Sequence, residues 1–250
     1  MATTSAPTDT SLRFDHVSMV FPDGTHAVDD VTFSLGPGEL VSVVGPSGCG
    51  KSTLLRIASG LATASGGQVE VDTGDVGYVF QDATLLPWRN VQANVELLAE
   101  LHGVPKDERR RLAAEAIELV WLQGFERQMP RRLSGGMKMR VSLARSLTLK
   151  PGVFLFDEPF GALDEITREK LNDELLRLFD SQRFAGLFVT HSVSEAVFLS
   201  TRVLVMSPRP GRILADVPVP FPYPRAPELR FTPEFAALAG EVSAALRGSR

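Results

Sequence analysis

The stretch Gly45-Pro46-Ser47-Gly48-Cys49-Gly50-Lys51-Ser52-Thr53 constrains this chain more than any other. It fits GxxxxGK[ST] and follows Leu40 to Val44, an apolar run that reads as a buried strand. Glycines permit a tight turn in which successive N–H groups point inward at phosphate oxygens, and a helix starting near Lys51 aims its positive N-terminus at the same place. Lys51 is placed to bridge terminal phosphates, the Ser52 hydroxyl to ligate the Mg²⁺ they carry, and Thr53 to add a further phosphate contact. Glycine-rich turns with a stray lysine also arise by chance, so the other strand ends have to decide.

The totals narrow the field. A chain of 250 residues can build one large α/β domain or two modest ones. A net charge of −4 argues against a nucleic-acid partner, and the basic clusters Arg109-Arg110-Arg111 and Arg131-Arg132 are brief. The first lies beside Asp107, Glu108 and Glu115 in a helical pattern, which reads as a solvated helix face. The longest uncharged stretch, Ile57 to Val69, is broken by Gly and Ser, so no membrane-spanning helix is expected. Met1 to Ser11, rich in Ser and Thr, reads as a disordered lead-in and not a signal peptide. Cys49 is the only cysteine, so no intrachain disulfide is possible and a reducing cytosol fits.

Taken in order, Leu12 to Leu35 alternates β-forming residues around the turn Pro22-Asp23-Gly24, which predicts an antiparallel pair. Phe21, just before that turn, is either strand core or a ring on which a base stacks. A helix is expected from Ser52 to Gly60, then short strands at Gln68 to Val71 and Val76 to Phe80, the latter ending in Gln81. Strand C-termini in open α/β folds usually meet ligands. Helical spacing over Asn90 to Leu101 and Asp107 to Leu122 marks an insertion. It leads to Leu133-Ser134-Gly135-Gly136-Met137, a second anion nest opening a helix from Lys138 to Leu149.

A strand over Val153 to Phe156 ends in Asp157-Glu158. Two adjacent carboxylates there are costly to desolvate without a cation. Asp157 is placed to hold Mg²⁺ through water, leaving Glu158 to orient or deprotonate an attacking water. The turn Pro159 to Asp164 precedes a helix from Glu165 to Phe179, and a buried strand at Leu187-Phe188-Val189 ends in Thr190-His191. Closing strands are read at Val203 to Met206 and Ile213 to Val217, irregular chain over Pro218 to Pro233, and an amphipathic tail helix at Glu234 to Arg247.

Together these motifs resemble the nucleotide-binding subunit of an ATP-binding cassette (ABC) transporter, over Leu12 to about Met206. The resemblance implies a P-loop NTPase core of RecA-like α/β type, an N-terminal antiparallel β subdomain and an inserted α-helical subdomain. The lead-in would be residues 1–11 and the ATPase domain 12–216, with the helical subdomain at about 84–150. A Pro-rich linker and helical tail would occupy 217–250. In the family's order, Phe21 is the adenine platform, Gly45 to Thr53 the phosphate loop, and Gln81 the glutamine loop that touches the metal. Ser134, Gly135 and Gly136 form the signature, Asp157 and Glu158 the metal and base pair, Asp164 the aspartate loop, and His191 the switch.

The resemblance further implies that two cassettes meet head to tail, each ATP lying between one phosphate loop and the other copy's Ser134 and Gly136. With one copy of each motif, the chain needs a second subunit, most simply another copy of itself. The helical insertion would pass the motion to an integral-membrane permease, placing the chain peripherally on the cytoplasmic membrane face. Leu85-Leu86-Pro87-Trp88-Arg89-Asn90, Pro159-Phe160-Gly161-Ala162-Leu163-Asp164 and Pro208-Arg209-Pro210-Gly211-Arg212-Ile213 are similar to the nitrate, sulfonate and taurine branch of bacterial importers, which also use an extracytoplasmic solute-binding protein. Trp88 reads equally well as core packing in the insertion. Met137, Met139, Ser192 and Thr201 depart from the family's usual residues, and none removes a catalytic group. An exporter subunit, the subunit of an importer for an unrelated solute, a soluble ABC ATPase and an inactive relative are the rival readings. The last is opposed by intact Lys51, Asp157, Glu158 and His191.

Overall fold

The computed structural model describes residues 10–72 and 76–248, so most of the expected lead-in lies outside the described residues. The core is a six-stranded sheet in the order β5-β6-β7-β3-β8-β9. Its strands are β3 (Leu40–Val44), β5 (Val76–Val79), β6 (Val153–Asp157), β7 (Ala185–Thr190), β8 (Arg202–Met206) and β9 (Ile213–Pro218). All neighbours pair in parallel except β8 with β9. Parallel strands covered on both faces run apolar without alternation, as Leu40–Val44 and Ala185–Thr190 do, buried at every residue. Alternate side chains nevertheless serve different layers. Val153 and Leu155 join one core cluster and Phe154 and Phe156 the other.

One layer is the antiparallel sheet β2-β1-β4, made of β1 (Leu12–Val20), β2 (His26–Leu35) and β4 (Gly66–Val71), together with helix α1 (Lys51–Ala58). The opposite layer holds α5 (Gly135–Leu147), α6 (Glu165–Gln182), α7 (Val193–Leu199) and the tail helix α8 (Pro233–Arg247). α2 (Val91–Val95), α3 (Leu97–Leu101) and α4 (Lys106–Leu119) lie beside α5. Each fully buried Phe or Leu in these clusters stabilises the fold by about 1.5–3 kcal/mol.

Several expectations shift. The helix read over Asn90 to Leu101 is interrupted at Glu96, whose carboxylate is drawn sideways to Arg109 of α4 at 3.1 Å. α7 follows His191 directly, where the sequence reading placed no element. A 3-10 turn at Pro227–Phe231 interrupts the supposedly irregular tail. Trp88 is not core, being 70% exposed. The loop that carries it is organised by buried Asn94, which accepts from the Leu86 amide and donates to the carbonyls of Leu86, Arg89 and Asn90. On α4, Arg111 is exposed between Glu108 and Glu115, as a solvated face requires.

Candidate active site

The C-terminal ends of β3, β6 and β7 bring the strand-end residues together. β3 runs into the phosphate loop, and Gly50 forms the N-cap of α1 at φ +104. A β-carbon there would lie 2.5 Å from Val28 Cγ1 and 2.7 Å from the Ala27 carbonyl, so glycine is required twice over. Lys51, 5% exposed, donates to the carbonyls of Gly45 at 2.9 Å and Pro46 at 3.0 Å. Its ammonium lies 3.9 Å from Glu158 Oε1. Ser52 Oγ donates to Asp157 Oδ1 at 2.7 Å, and the Tyr78 hydroxyl donates to Asp157 Oδ2 at 3.2 Å. Burial, with the Asp157 charge beside it, pushes the Tyr78 phenol far up, so it stays a donor.

Glu158 stands at φ +45, in the left-handed region that a non-glycine residue occupies at a cost of about 1–3 kcal/mol. Its amide donates to Val189 O and its carbonyl accepts from the Gly161 amide, which fixes the turn. The carboxylate then faces His191, whose Nδ1 lies 3.0 Å from Oε2. A cavity of about 210 Å³ is walled by Phe21, Ala27, Ser47, Gly48, Gly50, Lys51, Ser52, Thr53, Glu158 and Arg209. Phe21 is half-buried there, packed in part on the core and lining the cavity.

Other expected residues stand apart. Gln81 is exposed on the loop after β5 and is not among the cavity walls. Ser134 caps α5, accepting from the Met137 amide at 3.2 Å, with Gly135 exposed and Gly136 buried, again outside the cavity. Asp164 caps α6 by accepting from the Thr167 amide, and that bond holds its carboxyl below the usual range. Cys49 is buried behind the loop, and burial pushes its thiol up.

Four residues to which the sequence reading gave no role in the site support these parts. Tyr78 holds Asp157, and Arg209 donates to Gly48 O through Nε at 3.1 Å and a terminal nitrogen at 3.0 Å. Buried Arg145 of α5 donates to the carbonyls of Ala83 and Thr84, tying the Gln81 loop to the Ser134 helix. Buried Glu195 accepts from the Thr190 hydroxyl beneath His191. Only Glu195 had a local signal, since Ser192-Val193-Ser194-Glu195 has the spacing of a capping box.

A lysine-bearing phosphate loop, a hydroxyl paired with a strand-end carboxylate and a second carboxylate beside an imidazole define a P-loop nucleoside-triphosphatase site. The profile of the family described as ABC transporter matches residues 28–161. A taurine import ATP-binding protein, TauB of Rhizobium johnstonii, is 41% identical over 254 residues, covering 95% of this chain and 97% of its own. An aliphatic sulfonates import ATP-binding protein, SsuB 1 of Pseudomonas syringae, is 46% identical over 216 residues, covering 86% and 87%. Among solved structures, the dimeric cassette MJ0796 superposes with a TM-score of 0.73 at 30% identity, covering 84% of this chain and 99% of that one. The same cassette in a dimeric post-hydrolysis state bound to ADP and Pi gives 0.71. The chain belongs to the ABC transporter family. It is an ATP-binding subunit of that family and an ATPase.

Proposed function

We propose that this subunit powers uptake of a small solute of the nitrate, sulfonate or taurine kind through a membrane permease, by ATP-driven closure of two cassettes. The observation that carries the dimer is the incomplete cavity: Lys51, Ser52 and Glu158 line it, while Ser134 and Gly136 lie outside it at the start of α5. A second copy arranged head to tail supplies the missing wall, and the dimeric cassette among the structural relatives supports that arrangement. Solute class rests on the relatives named for taurine and aliphatic sulfonate import. Membrane association is peripheral in this reading, since among the described residues no helix is long and apolar enough to cross a bilayer.

Within the site, Phe21 stacks the base and the loop amides of Ser47 to Thr53 cradle the phosphates. Lys51 exchanges its carbonyl partners for phosphate oxygens. Ser52 and Asp157, whose oxygens lie 2.7 Å apart, are the hard donors that would hold Mg²⁺, and Gln81 would join them from the loop after β5. Bound Mg²⁺ would neutralise charge on the transferred phosphoryl group. Glu158 orients and deprotonates the attacking water, while His191 fixes that carboxylate and reaches the γ-phosphate. Asp164 and the signature residues Ser134, Gly135 and Gly136 complete the facing copy's site, so closure and chemistry depend on each other.

The test is affinity purification of the tagged chain from detergent-solubilised membranes, with mass spectrometry of what accompanies it. A multi-span permease in the eluate supports transport, and a ligand screen of its solute-binding protein then identifies the solute. Recovery from the soluble fraction alone, with no membrane partner, overturns the reading.

A further inference from the structure

We infer that Arg209 is a positioning residue for the phosphate loop, and that the hairpin turn Ser207 to Arg212 acts as a clasp setting the affinity for nucleotide. The inference rests on reading Gly45 to Thr53 as the nucleotide cradle. Both guanidinium bonds of Arg209 fall on one oxygen, Gly48 O, at 3.1 and 3.0 Å. The Cys49 amide of the same peptide unit donates to Pro46 O at 3.3 Å, so Arg209 on the carbonyl and Pro46 on the amide together fix how this peptide is turned within the nest. Gly48 itself has φ +75 and no side chain to hold it, so Arg209 adds from outside the loop a constraint that the glycine cannot supply.

The clasp is anchored on two sides. Gly211 packs so closely beneath the loop that a β-carbon would meet Cys49 O at 2.1 Å. Its amide donates to Ala27 O at 3.0 Å, and its carbonyl accepts from the Asp29 amide at 3.0 Å. Arg212 pairs with Asp29, and the Ser207 hydroxyl accepts from the Arg212 amide at 2.9 Å, closing the turn. Ala27 follows the turn that carries Phe21, and both line the cavity with Arg209. The clasp therefore fixes the phosphate loop and the proposed base platform to each other.

Without the clasp the loop samples other orientations, and apparent affinity falls by the fraction that remains competent. Arg209→Ala in the full chain is expected to raise the Kd for a fluorescent ATP analogue with Mg²⁺ by about tenfold, one loop conformer in ten remaining competent. KM for ATP rises in parallel, saturating ATP recovers most of the turnover, and Arg209→Lys restores part of the affinity. Gly211→Ala, which keeps Arg209 but pushes the clasp off Cys49, is expected to raise Kd similarly. Melting temperature without nucleotide, measured on each variant, separates loop positioning from loss of fold. Unchanged Kd in Arg209→Ala overturns the inference, as does a rise in Arg209→Ala with none in Gly211→Ala, which would make Arg209 a direct nucleotide contact. Failure of the unmodified chain to bind Mg-ATP would instead overturn the nucleotide reading before any variant is compared.

Discussion

His191 and Glu158, 33 residues apart in the chain, meet at 3.0 Å, imidazole Nδ1 against carboxylate Oε2. Glu158→Gln keeps the shape and removes the base. General-base catalysis is worth about 10²–10⁴-fold, so turnover is expected to fall at least a hundredfold while nucleotide binding stays within about threefold. Phosphate release from the purified chain, alongside nucleotide titration, checks both halves. Turnover at the unmodified level would remove Glu158 from the role of base.

The Ser52 hydroxyl and Asp157 carboxylate form a pair of oxygen donors with Tyr78 holding the far side of the carboxylate. Asp157→Asn is expected to raise the Mg²⁺ concentration needed for half-maximal activity by about 10–100-fold, the usual cost of disturbing a metal's supporting shell. Tyr78→Phe removes one supporting donor and should have a smaller effect in the same direction. A magnesium titration at fixed ATP measures both.

Cys49 lies in the phosphate loop but is 1% exposed, and burial raises its thiol above the ordinary range. The thiolate is the reactive form, so at neutral pH this cysteine should label with N-ethylmaleimide far more slowly in the native chain than in denaturant. Cys49→Ala should retain ATPase activity. Rapid native labelling that Mg-ATP blocks would instead mark an exposed thiol in the cradle.

Glu195 is buried beside Thr190, with Arg168, Asn172 and His191 as its other polar neighbours, and burial raises its carboxyl from the usual 4.5. Among the described residues its Oε1 meets no hydrogen-bond donor at bonding distance. A carboxyl with a raised native pKa binds its proton more tightly when folded. Its contribution to stability is greatest below 4.5 and declines as pH rises toward the native value. Glu195→Gln is neutral throughout, so it should flatten that decline. A gain of about 1 kcal/mol at neutral pH would appear as a melting temperature about 2–4 °C higher. Thermal melts from pH 4 to 8 show whether the two curves converge at low pH.

Trp88 projects from a loop that Asn94 fixes from below. Trp88→Ala should leave the ATPase activity and melting temperature of the isolated chain unchanged while reducing recovery of the permease with it. Equal recovery would place the permease contact elsewhere.

Much of this architecture is legible in the sequence because the residues involved are locally determined. The apolar runs at Leu40 and Val153, the glycines of the phosphate loop and the Pro22-Asp23-Gly24 turn each specify their own conformation. The contacts of Arg145, and of Arg209 within its quoted motif, are not legible, because each reaches across more than sixty residues to a main-chain carbonyl, a target with no residue identity to read. α7 is too short for periodicity to declare it, although its Ser192 cap was readable. Trp88 carries an apolar ring into solvent, which defeats any rule that equates hydrophobic with buried.

The tail is fastened by an unusual anchor. Buried Arg225 stacks on Tyr223 and donates to the carbonyls of Val197, Phe198 and Ser200 at the end of α7 and to that of Phe221. A surface ion pair such as Arg111 with Glu108 weakens as dissolved ions screen it over a Debye length of about 10 Å at 0.1 M. Carbonyl dipoles in direct contact with a buried cation leave no space for ions to enter. The tail should therefore stay attached at ionic strengths that loosen the exposed face of α4, so its grip on the helix that follows His191 outlasts the surface ion pairs.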